Sequence, residues 1–340
     1  MMNMKKKMPK GKMKPGVFLR SIDAALNGSF NVDAAVARTV RMAANLPQVK
    51  LFHVKRNKQV TFYKKINGIQ KYVAKSSDEI YLLARRQYLL LLIEILKLTG
   101  RLDKGSIMKR NQLIESLHSL IEVYAAGNLD LARIVMTPKQ YKWYTGEYKQ
   151  KPFDVEKALA ENPSSVHFST EGIPLKSKSE RDIMNSLHDY AVPAHYEEER
   201  SIMVQPLVDQ LYHDLRDNNL LKGNLYYLRG SACYWRVPKE LEWMNSPGSI
   251  WKAYNPRTGR LYIYNDFKII LASGEEIIWE HHGKCFEFTY RSNAGERVMV
   301  LKFTRSVSRR NMIETFEHDV DSREKIAEIL RDEVLPRLWF

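Results

Sequence analysis

Two strongly strand-forming segments in the C-terminal third limit what this chain can fold into. The first is RLYIYNDFKIIL, Arg260–Leu271, and the second is EEIIWEHHG, Glu275–Gly283, with Ser273-Gly274 between them. β-branched and aromatic residues favour strands, and a short turn with glycine favours pairing of the two strands as a hairpin. The spacing therefore predicts an antiparallel hairpin.

Each strand of this hairpin carries an acidic residue among apolar neighbours. Asp266 lies between Tyr264 and Ile269, and Glu280 directly follows Ile277, Ile278 and Trp279. An unpaired carboxylate is costly to bury, so such residues need a partner. A hard cation such as Mg²⁺ is a suitable partner, because it binds one or two carboxylates together with water. Asp266 and Glu280 are therefore candidate ligands for Mg²⁺ or Mn²⁺.

Glu180 is a third candidate. It lies in the first turns of a predicted amphipathic helix, Lys176–Tyr190, which a strand at His195–Met203 follows. On the Glu280 strand, period-two alternation puts His282 on the same face as Glu280. A zinc site of His281, His282, Cys285 and Cys233 is the weaker alternative, since that spacing matches no standard zinc site.

The order of these motifs resembles the PD-(D/E)XK, or restriction-endonuclease-like, nuclease superfamily. A closer similarity is to uncharacterised bacterial proteins that read Ser-Lys-Ser-Glu, Tyr-Glu, Pro-Asp-Phe and Trp-Glu-His-x-Gly. The matching segments here are Ser177–Glu180, Tyr196-Glu197, Asn265–Phe267 and Trp279–Gly283. The similarity covers most of the chain after about Val49.

The resemblance implies an α/β (α+β) fold with a restriction-endonuclease-like core, in which helices flank a central mixed sheet. It also implies that Glu180, Asp266 and Glu280 bind the metal, and that the reaction is hydrolysis of DNA phosphodiester bonds. In such hydrolysis the metal stabilises charge on the phosphate and lowers the pKa of the attacking water.

The chain departs from the superfamily pattern at two positions. Asn265 replaces the proline of the motif, and His282 stands where the superfamily has lysine. Either His282 or another cation must then assist at the phosphate. Lys268 is the preferred substitute because alternation puts it on the same face as Asp266. Arg297 and Lys302 are weaker candidates.

Three regions are expected along the chain. Residues 1–15 form a flexible basic tail, residues 16–163 a β-meander and helical domain that could bind DNA, and residues 164–340 the nuclease-like domain. The boundary is placed near Ser164. Residues 205–259 form an insertion rich in aromatic and basic side chains, which either contacts substrate or forms its own small core.

Two expectations concern smaller segments. The predicted meander has strands near Lys50–Val54, Gln59–Lys65 and Gln70–Lys75, with Asn67-Gly68 as a hairpin turn. For Arg297–Phe303 the valine content favours a strand, whereas the family resemblance favours a helix, and we follow the resemblance.

Charge and cysteine content bear on partners and compartment. The formal charge is +15, with 54 Lys and Arg against 39 Asp and Glu, which favours a polyanion such as DNA or another nucleic acid. Only 2 cysteines are present, which favours a reducing, cytoplasmic location. The apolar segment Leu82–Leu98 is too charged to span a membrane, so no membrane partner is expected.

Two functions from different classes follow. The first is a Mg²⁺-dependent DNA endonuclease, for which a homodimer would suit double-strand cutting. The alternative is a nucleic-acid-binding protein whose nuclease fold has lost catalysis, which the missing motif lysine favours. Metal-dependent cleavage of DNA distinguishes the two.

Overall fold

The computed structural model describes residues 13–28, 30–57, 59–147, 166–207, 209–210, 217, 254–255, 257–283, 297–298, 300–302 and 309–340. Most of the predicted N-terminal tail, the boundary expected near Ser164 and nearly all of the 205–259 insertion lie outside these residues. Cys233 and Cys285 do as well. The zinc alternative therefore depends on two ligands outside the described residues.

The first half of the chain consists of helices and a small sheet. In chain order its elements are α1 (Pro15–Asn27), α2 (Val32–Ala44), β1 (Leu51–Arg56), β2 (Gln59–Ile66), β3 (Ile69–Val73), α3 (Asp78–Leu98), α4 (Lys104–Ala126), α5 (Leu131–Val135) and α6 (Pro138–Tyr144). β2 pairs antiparallel with both β1 and β3. Asn67 and Gly68, which join β2 to β3, have φ values of 50° and 81°. Positive φ at both central residues is the type I′ turn that Asn-Gly favours, and the predicted meander is confirmed.

The second half contains the larger sheet. Its elements are β4 (His167–Phe168), β5 (Pro174–Leu175), α7 (Lys178–Asp189), β6 (Ala194–Met203), β7 (Tyr254–Asn255), β8 (Arg260–Ile270), β9 (Glu276–His282), β10 (Met312–Phe316), α8 (Arg323–Ile329), a π-helical turn (Leu330–Val334) and α9 (Leu335–Leu338). The sheet order is β10-β9-β8-β6, with β7 also paired to β8. β10 runs parallel to β9, and the other pairs are antiparallel. The fold is thus mixed α/β around a mixed sheet.

The predicted hairpin of Arg260–Leu271 and Glu275–Gly283 is present as β8 and β9. Its register runs from Ile270↔Glu276 to Phe267↔Trp279. Gly274 in the turn has a φ of 85°, a value that glycine adopts without a Cβ clash. Ladder pairing between β8 and β9 stops at Phe267 and Trp279, while β9 continues to pair with β10 as far as His282.

The segment after the hairpin confirms the helix that we expected there in preference to a strand. Residues 297–298 and 300–302 are helical, as the family resemblance indicated. Val300 and Leu301 are buried with Ile278 of β9 in a small second core. Packing against the sheet outweighs the local preference of valine for strands, a common outcome for strand propensities.

The main apolar core joins the first and last segments of the chain. Trp339 contacts Phe18 of α1 edge to face, with ring centroids 5.7 Å apart, and its Nε1 donates to Ser21 Oγ at 3.2 Å. Gln140 of α6 donates from Nε2 to the backbone oxygens of Ile270 and Leu338, at 3.1 and 2.7 Å. Contacts therefore join the segment before the boundary expected near Ser164 to the larger sheet and the C-terminal segment after it.

Candidate active site

Asp266 and Glu280 lie on adjacent strands, one step beyond the last ladder pair of β8 and β9. Both are buried, at 7% and 1% exposure. Asp266 accepts a hydrogen bond on Oδ2 from the backbone N–H of His281, at 2.7 Å. This bond fixes the Asp266 carboxylate against the backbone of β9 beside Glu280. The two carboxylates that the sequence singled out are thus neighbours.

Arg297 is the cation that contacts both of them. Its Nη1 lies 2.9 Å from Glu280 Oε2 and 3.5 Å from Asp266 Oδ1, and it also donates to the backbone oxygen of Tyr264 at 3.2 Å. The other oxygen of Glu280, Oε1, is buried and has no hydrogen-bond partner among the residues described. A buried carboxylate oxygen without a donor is costly, so this atom marks a place where a cation or water would be stabilised.

Glu180 approaches the same region from the N-terminus of α7. Its Oε2 accepts from Tyr196 Oη at 2.7 Å and from the backbone N–H groups of Lys176 and Ser177, both at 3.0 Å. Together with Ser177 it forms a capping box, in which cap and third residue satisfy each other's backbone donors. Burial and, next, repulsion from Asp266 raise the pKa of Glu180 to about 7. Glu180 is therefore both a helix cap and a member of an acidic cluster.

Glu197 is a fourth buried carboxylate, which the sequence analysis included only as part of the Tyr-Glu motif. Its backbone has a φ of 52°, and its side chain is 7% exposed. Left-handed backbone costs a residue with a Cβ about 1–2 kcal/mol. Lys176 Nζ pairs with Glu197 Oε1 at 2.6 Å. The surrounding β6–β8 pairing and this ion pair hold Glu197 in place.

The charge of Asp266 affects the ionisation of Glu180, Glu197 and Glu280. Burial is the largest cause of the raised pKa of Glu280 and of Glu197, and the charge of Asp266 adds to both. Arg297 opposes the shift at Glu280, and Lys176 opposes it at Glu197. Like charges at short range disfavour the ionised forms, so Asp266, Glu180, Glu197 and Glu280 form one electrostatically connected acidic cluster.

His282 and Lys268, the two residues proposed to replace the motif lysine, have different ionic partners. His282 Nε2 lies 4.0 Å from Glu314 Oε2, and Glu314 is the register partner of Glu280. Burial lowers the pKa of His282, while Asp266 and Glu314 raise it. Lys268 instead pairs with Glu198 at 3.0 Å and Glu276 at 3.3 Å, and lies over the Trp143 ring at 4.6 Å. The structure thus brings His282 near the cluster and directs the Lys268 ammonium to other acids.

Among the described residues, no group of three or more His, Cys, Asp or Glu side chains is arranged so that it could hold a metal ion. A cage of three protein ligands is therefore not preformed. Mg²⁺ does not require one, because it commonly binds through one or two carboxylates and keeps several waters. Asp266 and Glu280, with the unpartnered Glu280 Oε1, fit that second kind of site in donor chemistry.

Comparisons with models of known protein families, with curated proteins and with solved structures give no match. Within the described part of the chain, no helix combines the length and apolar character needed to cross a membrane.

A pH experiment tests the ionisation of the acidic cluster. The pKa of Glu180 is about 7 in the folded protein, above the ordinary value of 4.5. Protonated Glu180 therefore stabilises the folded state, fully below pH 4.5, and this stabilisation is lost as the pH rises through 7. The loss corresponds to roughly 3 kcal/mol. Without divalent cations, Glu180→Gln should therefore be more stable than the wild type at pH 8 and nearly equal to it at pH 5. Urea unfolding at both values measures this, and a variant less stable at pH 8 would contradict it.

Proposed function

We propose that this chain is a divalent-metal-dependent DNA endonuclease with a restriction-endonuclease-like core. Asp266 and Glu280 would bind the Mg²⁺ or Mn²⁺ ion, and Glu180 would complete the acidic site. The observation that carries the proposal is the meeting of two buried carboxylates where β8 and β9 stop pairing.

The order of the helix and strands supports this assignment, and so do the positions of their acidic residues. An acidic residue caps a helix, the next strand leads into a β-hairpin, and a further strand runs parallel to the second hairpin strand. Arg297 contacts both Asp266 and Glu280, and the charge of Asp266 acts on Glu180 and on Glu280. This is the element order that the resemblance to PD-(D/E)XK nucleases implies.

The roles of the side chains follow from their partners. When bound, the metal would stabilise charge on the scissile phosphate and lower the pKa of an attacking water. Glu280 Oε1 is the oxygen left for a cation once Arg297 has taken Oε2, and Asp266 Oδ1, which Arg297 contacts only at 3.5 Å, would be the second ligand. The N–H donors around Glu180 occupy Oε2 and leave Oε1 for a cation or proton.

Cations for the phosphate are present at the edge of the cluster. Arg297 is 28% exposed by its side chain and Lys176 is 49% exposed, and both already contact carboxylates of the cluster. Arginine and lysine bind phosphate oxygens through charge-assisted hydrogen bonds. Arg297, Lys176 and His282 are the proposed substitutes for the missing motif lysine. Lys268 is a weaker candidate, because its ammonium pairs with Glu198 and Glu276.

The substrate is inferred from charge. The formal charge of +15 gives a field that attracts a polyanion, and DNA is the polyanion that a phosphodiesterase of this kind would cut. Neutralising phosphates makes such binding strongly dependent on salt.

Incubation of purified protein with supercoiled and linear DNA tests the proposal. Cleavage should occur with Mg²⁺ or Mn²⁺, stop with EDTA, and be absent in Asp266→Asn, which keeps the size of the side chain but removes its charge. DNA that stays intact across both metals and both substrates would overturn the enzyme proposal.

One observation favours the second candidate, a nucleic-acid-binding protein that does not cleave. The Arg297 guanidinium already satisfies one oxygen of Glu280 and contacts Asp266, so the pair can be neutralised without a metal. In that case the protein would bind DNA in EDTA, and the DNA would stay intact when Mg²⁺ or Mn²⁺ is added.

A further inference from the structure

Three aromatic side chains form a row across one face of the small sheet. Phe52 on β1 is the register partner of Tyr63 on β2, and Tyr63 is the partner of Tyr72 on β3. Partners in register project from the same face of a sheet, with strands about 4.8 Å apart. Tyr63 and Tyr72 lie edge to face at 6.1 Å, and Tyr72 is 60% exposed. We call the row of Phe52, Tyr63 and Tyr72 the aromatic face.

The opposite face of this sheet is the one that packs on the protein. Leu51, Val60, Phe62 and Val73 are buried there. Phe62 lies 6.2 Å from the Tyr124 ring of α4. Because side chains alternate along a strand, residues 52, 63 and 72 cannot share in that core. Phe52 and Tyr63 are half-buried and Tyr72 is exposed, so the row stays accessible on the face away from the core.

The charge around the aromatic face has one sign. The segment from Lys50 to Lys75 contains eight Lys and Arg residues and no Asp or Glu. Arg56 and Lys65 lie on the same face as the aromatic row by strand alternation, and both are exposed. Lys50 Nζ lies 5.3 Å from the centre of the Phe52 ring. The face thus combines flat rings with cations and carries no acidic residue.

We propose that the aromatic face binds a nucleic-acid strand with unpaired bases. The bases would stack on the rings, and the phosphates would lie against Lys50, Arg56 and Lys65. Aromatic side chains along a positively charged surface are the combination that single-strand binders use, because every base has a face to stack.

The rings favour unpaired bases over a duplex. In a double helix the bases are stacked on one another and present only their edges in the grooves, so exposed rings gain little from them. Acidic proteins and anionic membranes would use the same cations but offer no bases for the rings to stack on. The aromatic face lies on an element separate from the acidic cluster, so the inference does not depend on the proposed cleavage.

Fluorescence anisotropy with the full chain tests this, using labelled oligothymidylate and a duplex of the same length, both in EDTA. We expect the single strand to bind more tightly than the duplex. Tyr63→Ala with Tyr72→Ala should weaken single-strand binding by roughly tenfold or more. Tyr72→Phe, which keeps the ring, should bind like the wild type, as should Phe168→Ala, an exposed aromatic elsewhere.

The cations give an independent readout. Arg56→Gln with Lys65→Gln should reduce the dependence of binding on salt, whereas the tyrosine variants should leave it unchanged. Equal single-strand binding by the wild type and the folded double tyrosine variant would overturn the proposal, and would leave only a basic patch. Tighter binding to anionic lipid vesicles than to oligothymidylate would also overturn it. Thermal unfolding of each variant establishes that it is folded.

Discussion

Glu280→Gln is expected to lower the rate of Mg²⁺-dependent DNA cleavage by about a thousandfold or more. The substitution keeps the size of a side chain that is 1% exposed, but removes the charge that would hold the cation. A bound metal contributes several kcal/mol to the transition state, and each 1.4 kcal/mol corresponds to a factor of ten in rate. Single-turnover cleavage of an end-labelled DNA at saturating protein measures the loss.

Glu276→Gln is the matched control for this variant. Glu276 lies on the same strand, four residues earlier and on the same face, and it pairs with Arg200 and Lys268, each at 3.3 Å. Glu276→Gln should cleave within a few-fold of the wild type, because the ion pairs of Glu276 are with Arg200 and Lys268 and not with the proposed metal ligands or Arg297. Equal activity of Glu280→Gln and the wild type would remove Glu280 from the site.

Trp339→Ala should cost about 3–5 kcal/mol of the free energy of unfolding, the usual range for a buried tryptophan. Trp339 is 1% exposed, packs against Phe18 and donates to Ser21. Its loss opens a cavity between the first helix and the last, and leaves Ser21 without this donor. Chemical denaturation followed by circular dichroism measures the change.

Leu102→Ala serves as the comparison, since Leu102 is 88% exposed and its truncation should change stability by less than about 0.5 kcal/mol. Equal stability of Trp339→Ala and Leu102→Ala would contradict the packing of Trp339 against Phe18 in the N-terminal core. The result thus tests the fold separately from the chemistry.

The sequence predicted the elements whose signal is local. The hairpin of β8 and β9 follows from two runs of β-branched and aromatic residues around Ser273-Gly274, and the meander turn follows from Asn67-Gly68. The start of α7 follows from Ser177 and Glu180, which form a capping box. In each case neighbours in sequence supply the physical cause, so the pattern alone is sufficient.

The features that it did not predict depend on partners distant in sequence. Strand alternation placed Lys268 with Asp266, but Lys268 pairs with Glu198 and Glu276, while the Asp266 carboxylate turns to the N–H of His281. Arg297 was one of the weaker candidates, yet it contacts both carboxylates from the helix expected there. The placement of such cations is decided by tertiary contacts, which single-strand periodicity does not contain.

The position of Glu197 also depends on partners distant in sequence. Its left-handed backbone and its pairing with Lys176 make it part of the acidic cluster. The Tyr-Glu motif was the one sequence signal that pointed to this position. Substrate assays that include Lys176→Gln and Arg297→Gln will show which cation assists the reaction, since each contacts a different carboxylate.

Calorimetric titration of Mn²⁺ into the wild type and Asp266→Asn at pH 8 tests the central claim most directly. The wild type should bind the ion with a measurable heat, and Asp266→Asn should show none under the same conditions. If both proteins gave the same heat, or if the wild type gave none, Asp266 and Glu280 would not be a metal site, and the pairing with Arg297 would be structural.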